Sequence, residues 1–164
     1  MIGQAKVYEI LDSLNIKYRY YESPTDFSSE DDGSFWDKIG ALRCKNLFLR
    51  NHKGNRHFMI IAPYYADVSI TALEQYFKKG KISFASDKRL SKWLNVKPGA
   101  VSVFSLINDT ENHVEVFVDE RLKQSHELTF LPNMHNALLA ITYHDFISLL
   151  NNSGNKWQFF DFSI

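Results

Sequence analysis

Lys45 is the residue whose position says most about chemistry. In the run Cys44–Arg50, period-2 strand geometry puts Lys45 on the same face as Leu47 and Leu49. A lysine on an otherwise apolar face either snorkels to water from the strand end or reaches an anionic partner in a cleft, and the alternation alone leaves both open. Cys44 points to the opposite face, where a lone thiol is more often packing than nucleophile. Gly99, directly after Pro98, marks a bend. There, backbone N–H groups can approach a ligand closely and stabilise charge developing on a carbonyl oxygen; an ordinary turn is the alternative.

Other chemistries lose weight. The chain has no phosphate-binding G-x-x-x-x-G-K-[ST], no G-x-G-x-x-G and no G-x-S-x-G, which argues against nucleotide hydrolysis, dinucleotide redox and serine-hydrolase catalysis. The histidines at 52, 57, 113, 126, 135 and 144 never fall at the i, i+4 spacing of H-E-x-x-H. The expectation is therefore no metal and no cofactor. With a single cysteine, Cys44, neither an internal disulfide nor a multi-cysteine zinc site can form, which fits a reducing compartment.

At 164 residues, 45% hydrophobic and 15% aromatic, the chain can bury one substantial core and is too short for two ordinary domains, so residues 1–164 are read as one domain. No apolar run is long enough to span a membrane, and the N-terminus lacks the pattern of a signal peptide, which predicts a cytoplasmic protein. Net charge is zero but unevenly spread. Residues 1–40 carry four basic and eight acidic groups, residues 41–98 twelve and three, and residues 99–164 three and eight. Screening confines each patch to about 8–10 Å, so a basic middle third can hold a phosphate backbone on a neutral molecule, although solvated lysines on helix surfaces produce the same count.

The elements that must position these groups follow from periodicity. Val7, Ile10, Leu11 and Leu14 predict an amphipathic helix over residues 3–14, and Lys17–Glu22 a strand. Ser23–Gly33 reads as an acidic loop or short helix. Lys45–Arg50 and His57–Pro63 form antiparallel strands around a Lys-Gly-Asn turn. Thr71 and Glu74 have capping-box spacing ahead of one helix, Ser86 precedes a second, and the short strand Lys81–Phe84 separates them. Ala100–Ile107, Val114–Asp119, Glu127–Phe130, Ala137–Thr142 and Trp157–Phe162 read as strands, and Tyr143–Leu150 as a helix. Hairpins with isolated helices predict an α+β (mixed α/β) fold with a mixed, largely antiparallel sheet flanked by helices.

Three segments, C-K-N-L-F-L-R at 44–50, P-G-A-V-S-V-F-S-L-I-N-D at 98–109 and F-L-P-N-M-H-N-A at 130–137, resemble in order and spacing the YbaK-like, prolyl-tRNA-synthetase-associated editing family. The likeness is strongest to its freestanding alanyl-tRNA(Pro) deacylases and runs from the first helix to the last. The resemblance implies hydrolysis of the ester of a mischarged tRNA, without metal, with the neighbouring ribose hydroxyl assisting. It implies that Lys45 holds the terminal nucleotide as a cation and that Gly99 belongs to the catalytic loop. Asn46, Ala100, Val101, Ser102, Val103 and Phe104 would line the substrate pocket, with Leu131, Pro132 and His135 shaping its amino-acid end. The partners implied are the tRNA acceptor end and prolyl-tRNA synthetase. A small cavity would admit alanine and exclude the proline ring, acting as a second sieve.

The sequence departs from the family pattern at the presumed pocket. Val103 stands where proline is usual and Ser105 where glycine is usual; Leu131 replaces a histidine, and His135, Asn136 and Leu138 replace polar residues. These changes bear on loop geometry and on the amino acid removed. They also make a rival credible: a non-catalytic module that keeps the fold and holds tRNA or a synthetase through the basic middle segment. A third reading is hydrolysis of a small aminoacyl or nucleotide ester.

Overall fold

The computed structural model describes residues 1–22, 34–78 and 80–163. The segment Ser23–Gly33, expected as a loop or short helix, lies outside the described residues. Helix α1 (Ala5–Ser13) buries Val7 and Leu11 and ends at Asn15, whose φ of 54° an asparagine tolerates. Strand β1 (Arg19–Glu22) and helix α2 (Ser34–Ile39) precede the hairpin β2 (Leu42–Asn51) and β3 (His57–Pro63). Asn51 closes its turn by accepting from the N–H groups of Gly54 and Arg56.

Helix α3 (Ile70–Phe77) starts two residues earlier than the Thr71/Glu74 spacing implies. Ser69 is its cap, accepting from the Ala72 N–H, and Glu74 instead accepts from the Ile82 N–H of β4 (Ile82–Phe84). Helix α4 (Asp87–Leu94) is capped by Ser86 as expected. Then follow β5 (Glu115–Asp119), β6 (Glu127–Phe130), β7 (Ala137–Thr142), α5 (Tyr143–Ser153) and β8 (Trp157–Phe160).

The strand expected over Ala100–Ile107 is not a strand. Val103–Asn108 forms a 3-10 helix, because Ser102 and Ser105 make a reciprocal cap: the Phe104 N–H donates to Ser102 Oγ, and the Ser102 N–H to Ser105 Oγ, each at 3.0 Å. β-propensity favours a strand for these apolar and β-branched residues, and tertiary burial of Val103, Phe104 and Leu106 overrides it.

The strands join into one mixed sheet in the order β1-β7-β6-β2-β3-β5-β8, with β4 also paired to β2. Pairings β1/β7, β6/β7, β2/β3 and β2/β4 are antiparallel; β2/β6, β3/β5 and β5/β8 are parallel. Phe48, Met59, Val116 and Phe130 face the larger core, roofed by α1, α4, α5 and the 3-10 helix, while Leu49, Phe58, Leu73 and Phe117 form a second core under α3. As the alternation requires, Cys44 packs against the first and Leu47 against the second. Among the described residues no helix is long and apolar enough to cross a membrane.

Two buried polar networks lock these layers. Asn133, 3% exposed, accepts from Ser105 Oγ at 2.8 Å and donates to Gln4 Oε1 at 3.0 Å and to the Phe104 carbonyl at 3.3 Å. It thereby ties the 131–136 segment to the 3-10 helix and to the chain entering α1. In the second network an Arg89 N–H, which can only donate, lies 3.0 Å from His57 Nε2. His57 must then carry its proton on Nδ1 and donate to His113 Nε2 at 2.8 Å, while the His113 ring stacks on Trp93 with centroids 3.7 Å apart.

Two outcomes follow. Replacing Asn133 by Ala strands the Ser105 hydroxyl and the Phe104 carbonyl, and urea denaturation should read a loss of about 3 kcal/mol, since each buried group left unpaired costs ~1–3 kcal/mol. Burial, then His113 and the cations Arg89, Arg50 and Lys92, push the His57 imidazole down from 6.5 to about 4. The unfolded chain therefore takes up a proton that the folded chain refuses. Stability is full above about pH 6.5 and is lost as pH falls toward 4. Thermal midpoints across that window should decline for the native chain and decline less for His57→Gln.

Candidate functional site

A cavity opens where β2 and β6 part company. Their parallel pairing covers only Leu42↔Leu128 and Arg43↔Thr129, reinforced by a Thr129 Oγ1 hydrogen bond of 3.0 Å to the Leu42 carbonyl. The residues just past that short contact, Cys44, Lys45 and Asn46 on β2 and Phe130 and Leu131 at the end of β6, line a cavity of about 190 Å³. Gly99 and Val101 contribute another part of the wall, and Leu138 of β7 a third.

Lys45 is half-buried, opposite Ala62 in the β2/β3 register, and its ammonium donates to the Ala66 carbonyl. The turn after β3 delivers that carbonyl: the Tyr64 N–H extends the hairpin to the Arg43 carbonyl, and the Ala66 N–H closes back on Pro63. One of three ammonium protons is thus spent on orientation, and two remain for a ligand. Asn46 brings an unusual feature, a buried Oδ1 that has no hydrogen-bond partner among the described residues. An orphaned buried acceptor costs on the order of 1–3 kcal/mol, so its retention beside a cavity marks a place where a donor arrives.

The bend at Lys97–Ala100 is closed by an Ala100 N–H bond to the Lys97 carbonyl at 3.1 Å, and Gly99 sits at φ 86°, a conformation other residues enter only with strain. The N–H groups of Ala100, Ser102 and Phe104 are already engaged, by Lys97, Ser105 and Ser102 respectively. Among the described residues, the N–H groups of Gly99 and Val101, the two residues of this stretch that line the cavity, make no hydrogen bond. Cys44 also lines the cavity, but burial pushes its thiol up to about 12, so the thiolate that could act as a nucleophile is all but absent at neutral pH.

Of the residues singled out from sequence, the cavity gathers Lys45, Asn46, Gly99, Val101 and Leu131. Ser102, Val103 and Phe104 are not on its wall: they are 0%, 3% and 1% exposed, turned inward by the 3-10 helix. Pro132 is buried as well, its carbonyl accepting from the Gln4 N–H. Ala100 and His135 line a second, neighbouring cavity on the far side of the bend. The unusual Ser105 sits in the first turn of the 3-10 helix, where its side chain accepts from the N–H of the cap residue Ser102, and the unusual Leu138 lines the cavity.

Sequence reasoning missed Trp36, Arg43 and Tyr64, which also line the cavity. The Arg43 guanidinium lies 3.6 Å from the Tyr64 ring centroid and 4.5 Å from that of Trp36. Nothing in their local spacing announces this stack, because it joins α2, β2 and the turn after β3. Asn133 was missed too, although an asparagine at φ 63° right after a proline is a turn signal. Among the described residues, no group of three or more His, Cys, Asp and Glu side chains is placed to hold a metal ion.

Residues 38–149 match the model of the aminoacyl-tRNA editing domain. The prolyl-tRNA editing protein ProX of Acetoanaerobium sticklandii is 31% identical over 148 residues, spanning 90% of each chain. The prolyl-tRNA synthetase associated domain-containing protein 1 of Xenopus laevis is 24% identical over 148 residues, 88% of each. A crystal structure assigned provisionally as a trans-editing enzyme for prolyl tRNA synthetase superposes with a TM-score of 0.70 over 98% of both chains at 14% identity. A hypothetical protein superposes at 0.71 over 93% of this chain and 96% of its own, again at 14%. Such remote structures establish the fold alone. The family model and the ProX relative go further, and the chain belongs to the aminoacyl-tRNA editing domain family.

Proposed function

We propose that this chain acts in trans on mischarged tRNA(Pro) and hydrolyses its alanyl ester. Its family makes it an aminoacyl-tRNA deacylase, and the ProX relative points to tRNA(Pro) as the tRNA served. The observation that carries the finer reading is the meeting, around one 190 Å³ cavity, of the oriented Lys45 amine, the orphaned Asn46 Oδ1 and the Gly99–Val101 bend.

In this reading the aminoacyl group enters the cavity and its ester carbonyl oxygen meets the N–H groups of Gly99 and Val101. Water attacks the carbonyl carbon, assisted by the neighbouring ribose hydroxyl. The developing oxyanion is held by donors already in place, which is where most of the rate gain in such sites arises. Collapse breaks the bond to the ribose oxygen, which leaves protonated, and frees the amino acid. Lys45 is a cation gripping phosphate or ribose oxygens of the terminal nucleotide, fixing the ester in the attack position. Asn46 accepts a hydrogen bond from the substrate. The near-absence of Cys44 thiolate supports direct hydrolysis over an acyl-enzyme.

The amino-acid end is apolar, with Val101, Phe130, Leu131 and Leu138 on the wall. That lining favours alanine over serine, because a buried hydroxyl there would find few partners. The cavity volume lies below the about 300–1,000 Å³ typical of pockets that engulf drug-sized ligands, a size suited to the aminoacyl ester with the terminal nucleotide at its mouth, beside Lys45. The working partners are the acceptor end of tRNA and, by the naming of the Xenopus laevis relative, prolyl-tRNA synthetase in the cytoplasm.

Lys45→Ala should lower kcat/KM on alanyl-tRNA(Pro) by about 100-fold or more, equivalent to ~2.7 kcal/mol of transition-state stabilisation. A panel of aminoacyl-tRNAs measured with native and variant protein checks it, and a native protein inert on every ester at high concentration overturns the reading. Leu138→Ala enlarges the amino-acid end, so the ratio of kcat/KM for larger apolar esters over alanine should rise by about 10-fold or more, a methylene's worth being ~1–3 kcal/mol.

A further inference from the structure

The second cavity, about 600 Å³, is separated from the first by a single thickness of chain. Along the bend, Gly99 and Val101 face the first cavity whereas Pro98 and Ala100 face the second. The same division recurs after β6, where Phe130 and Leu131 line the first and Met134 and His135 the second. Whatever leaves the first cavity across this bend therefore meets the second.

The second cavity leads onto α4. Ser91 and Asn95 line it, and Lys88 and Lys92 continue the same exposed helical face one turn away, with Lys97 on the rim. At the N-terminal end of α4, the Arg89 guanidinium is fixed to the Gly54 carbonyl at 2.8 Å, which brings in the β2–β3 turn with exposed His52 and Lys53. Asp87 is the acidic side chain of the cavity lining. This ridge is where much of the basic middle third of the sequence gathers. Its lysines make no ion pair with carboxylates among the described residues; Lys92 instead lies 4.8 Å from the Trp93 ring. At the cavity mouth Met134 is 45% exposed, offering the soft apolar surface on which an unstacked base can rest.

We propose that the second cavity receives the unpaired nucleotide that precedes the ester-bearing adenosine, and that Lys97, Lys92 and Lys88 track the phosphates as the strand continues along α4. This inference rests on the deacylase reading only for what occupies the first cavity. The small first cavity has room for the aminoacyl ester, so the polymer must lie elsewhere. The adjoining concave surface that combines depth, an exposed apolar side chain and a row of cations matches a single strand.

The test compares full-length alanyl-tRNA(Pro), a short alanyl-adenosine ester and uncharged tRNA as substrates or ligands of the native chain and of the triple variant Lys88→Glu, Lys92→Glu, Lys97→Glu. The expected result is a rise in KM of about tenfold or more on alanyl-tRNA with little change in kcat, and hydrolysis of the short ester within twofold of native. Uncharged tRNA should bind more weakly, with the slope of log K against log salt reduced by about two, since each single-strand phosphate contact contributes ~0.7. Met134→Asp should weaken binding without the same loss of slope. Unchanged KM and tRNA affinity in the triple variant would overturn the proposal, as would equal losses on tRNA and on the short ester. If the native chain cleaves no ester yet tRNA binding still falls with the lysines, the deacylase reading fails and the strand path stands.

Discussion

The two-residue parallel contact between β2 and β6 is the constraint on which the rest of the molecule depends. It joins the β1-β7-β6 half of the sheet to the β2-β3-β5-β8 half, and it ends at Arg43 and Thr129. Had the pairing run on, Lys45 and Asn46 would face hydrogen-bonded neighbours on that side instead of space. Because it stops, the two strands diverge, and the wedge between them must be filled by something other than sheet. The Gly99–Val101 bend and the 131–136 segment fill it incompletely, and what remains is the cavity.

Keeping a wedge open in a close-packed protein requires stiff walls. The Asn133 network supplies one, pinning the 131–136 segment to the 3-10 helix and to Gln4, so that neither the bend nor the β6–β7 connection can collapse inward. The reciprocal Ser102/Ser105 cap stiffens the chain immediately after the bend. On the other side, the carbonyl of Ala66 holds the Lys45 amine, and Arg43 is stacked with Tyr64 and Trp36. Polar groups that would be costly in an ordinary core are hydrogen-bonded here around the cavity, the arrangement that the proposed catalysis by preorganised donors would need. The departures from the family pattern fit this picture. Ser105 belongs to the reciprocal cap of the 3-10 helix, and Leu138 adds an apolar side chain to the cavity wall.

The charge distribution acquires a spatial meaning only in the fold. Twelve basic groups against three acidic ones over residues 41–98 is a fact about order along the chain. The hairpin tip and α4, some thirty residues apart in sequence, are brought to one ridge by the Arg89–Gly54 and Arg89–His57 contacts. In the proposed function this ridge is the surface that grips the strand, while the small cavity receives the amino acid.

Much of this was legible in the residues. The period-2 run Cys44–Arg50 placed Lys45 on the face of Leu47 and Leu49, the hairpin and most helices followed from turn and cap chemistry, and Gly99 announced a bend that only a permissive residue accepts, because each of these is decided by near neighbours in the chain. What local pattern could not decide was long-range. The apolar run after Gly99 forms a 3-10 helix capped by Ser102 and Ser105, and Asn133, 28 positions from Ser105, fixes that helix against the 131–136 segment. Ser102, Val103, Phe104 and Pro132 were thereby drawn inside, and Ala100 and His135 were turned to the second cavity. Trp36, Arg43 and Tyr64 met across three elements. Periodicity reports which face a side chain occupies; where two strands stop pairing depends on contacts between segments far apart in sequence, and that depends on the tertiary structure alone.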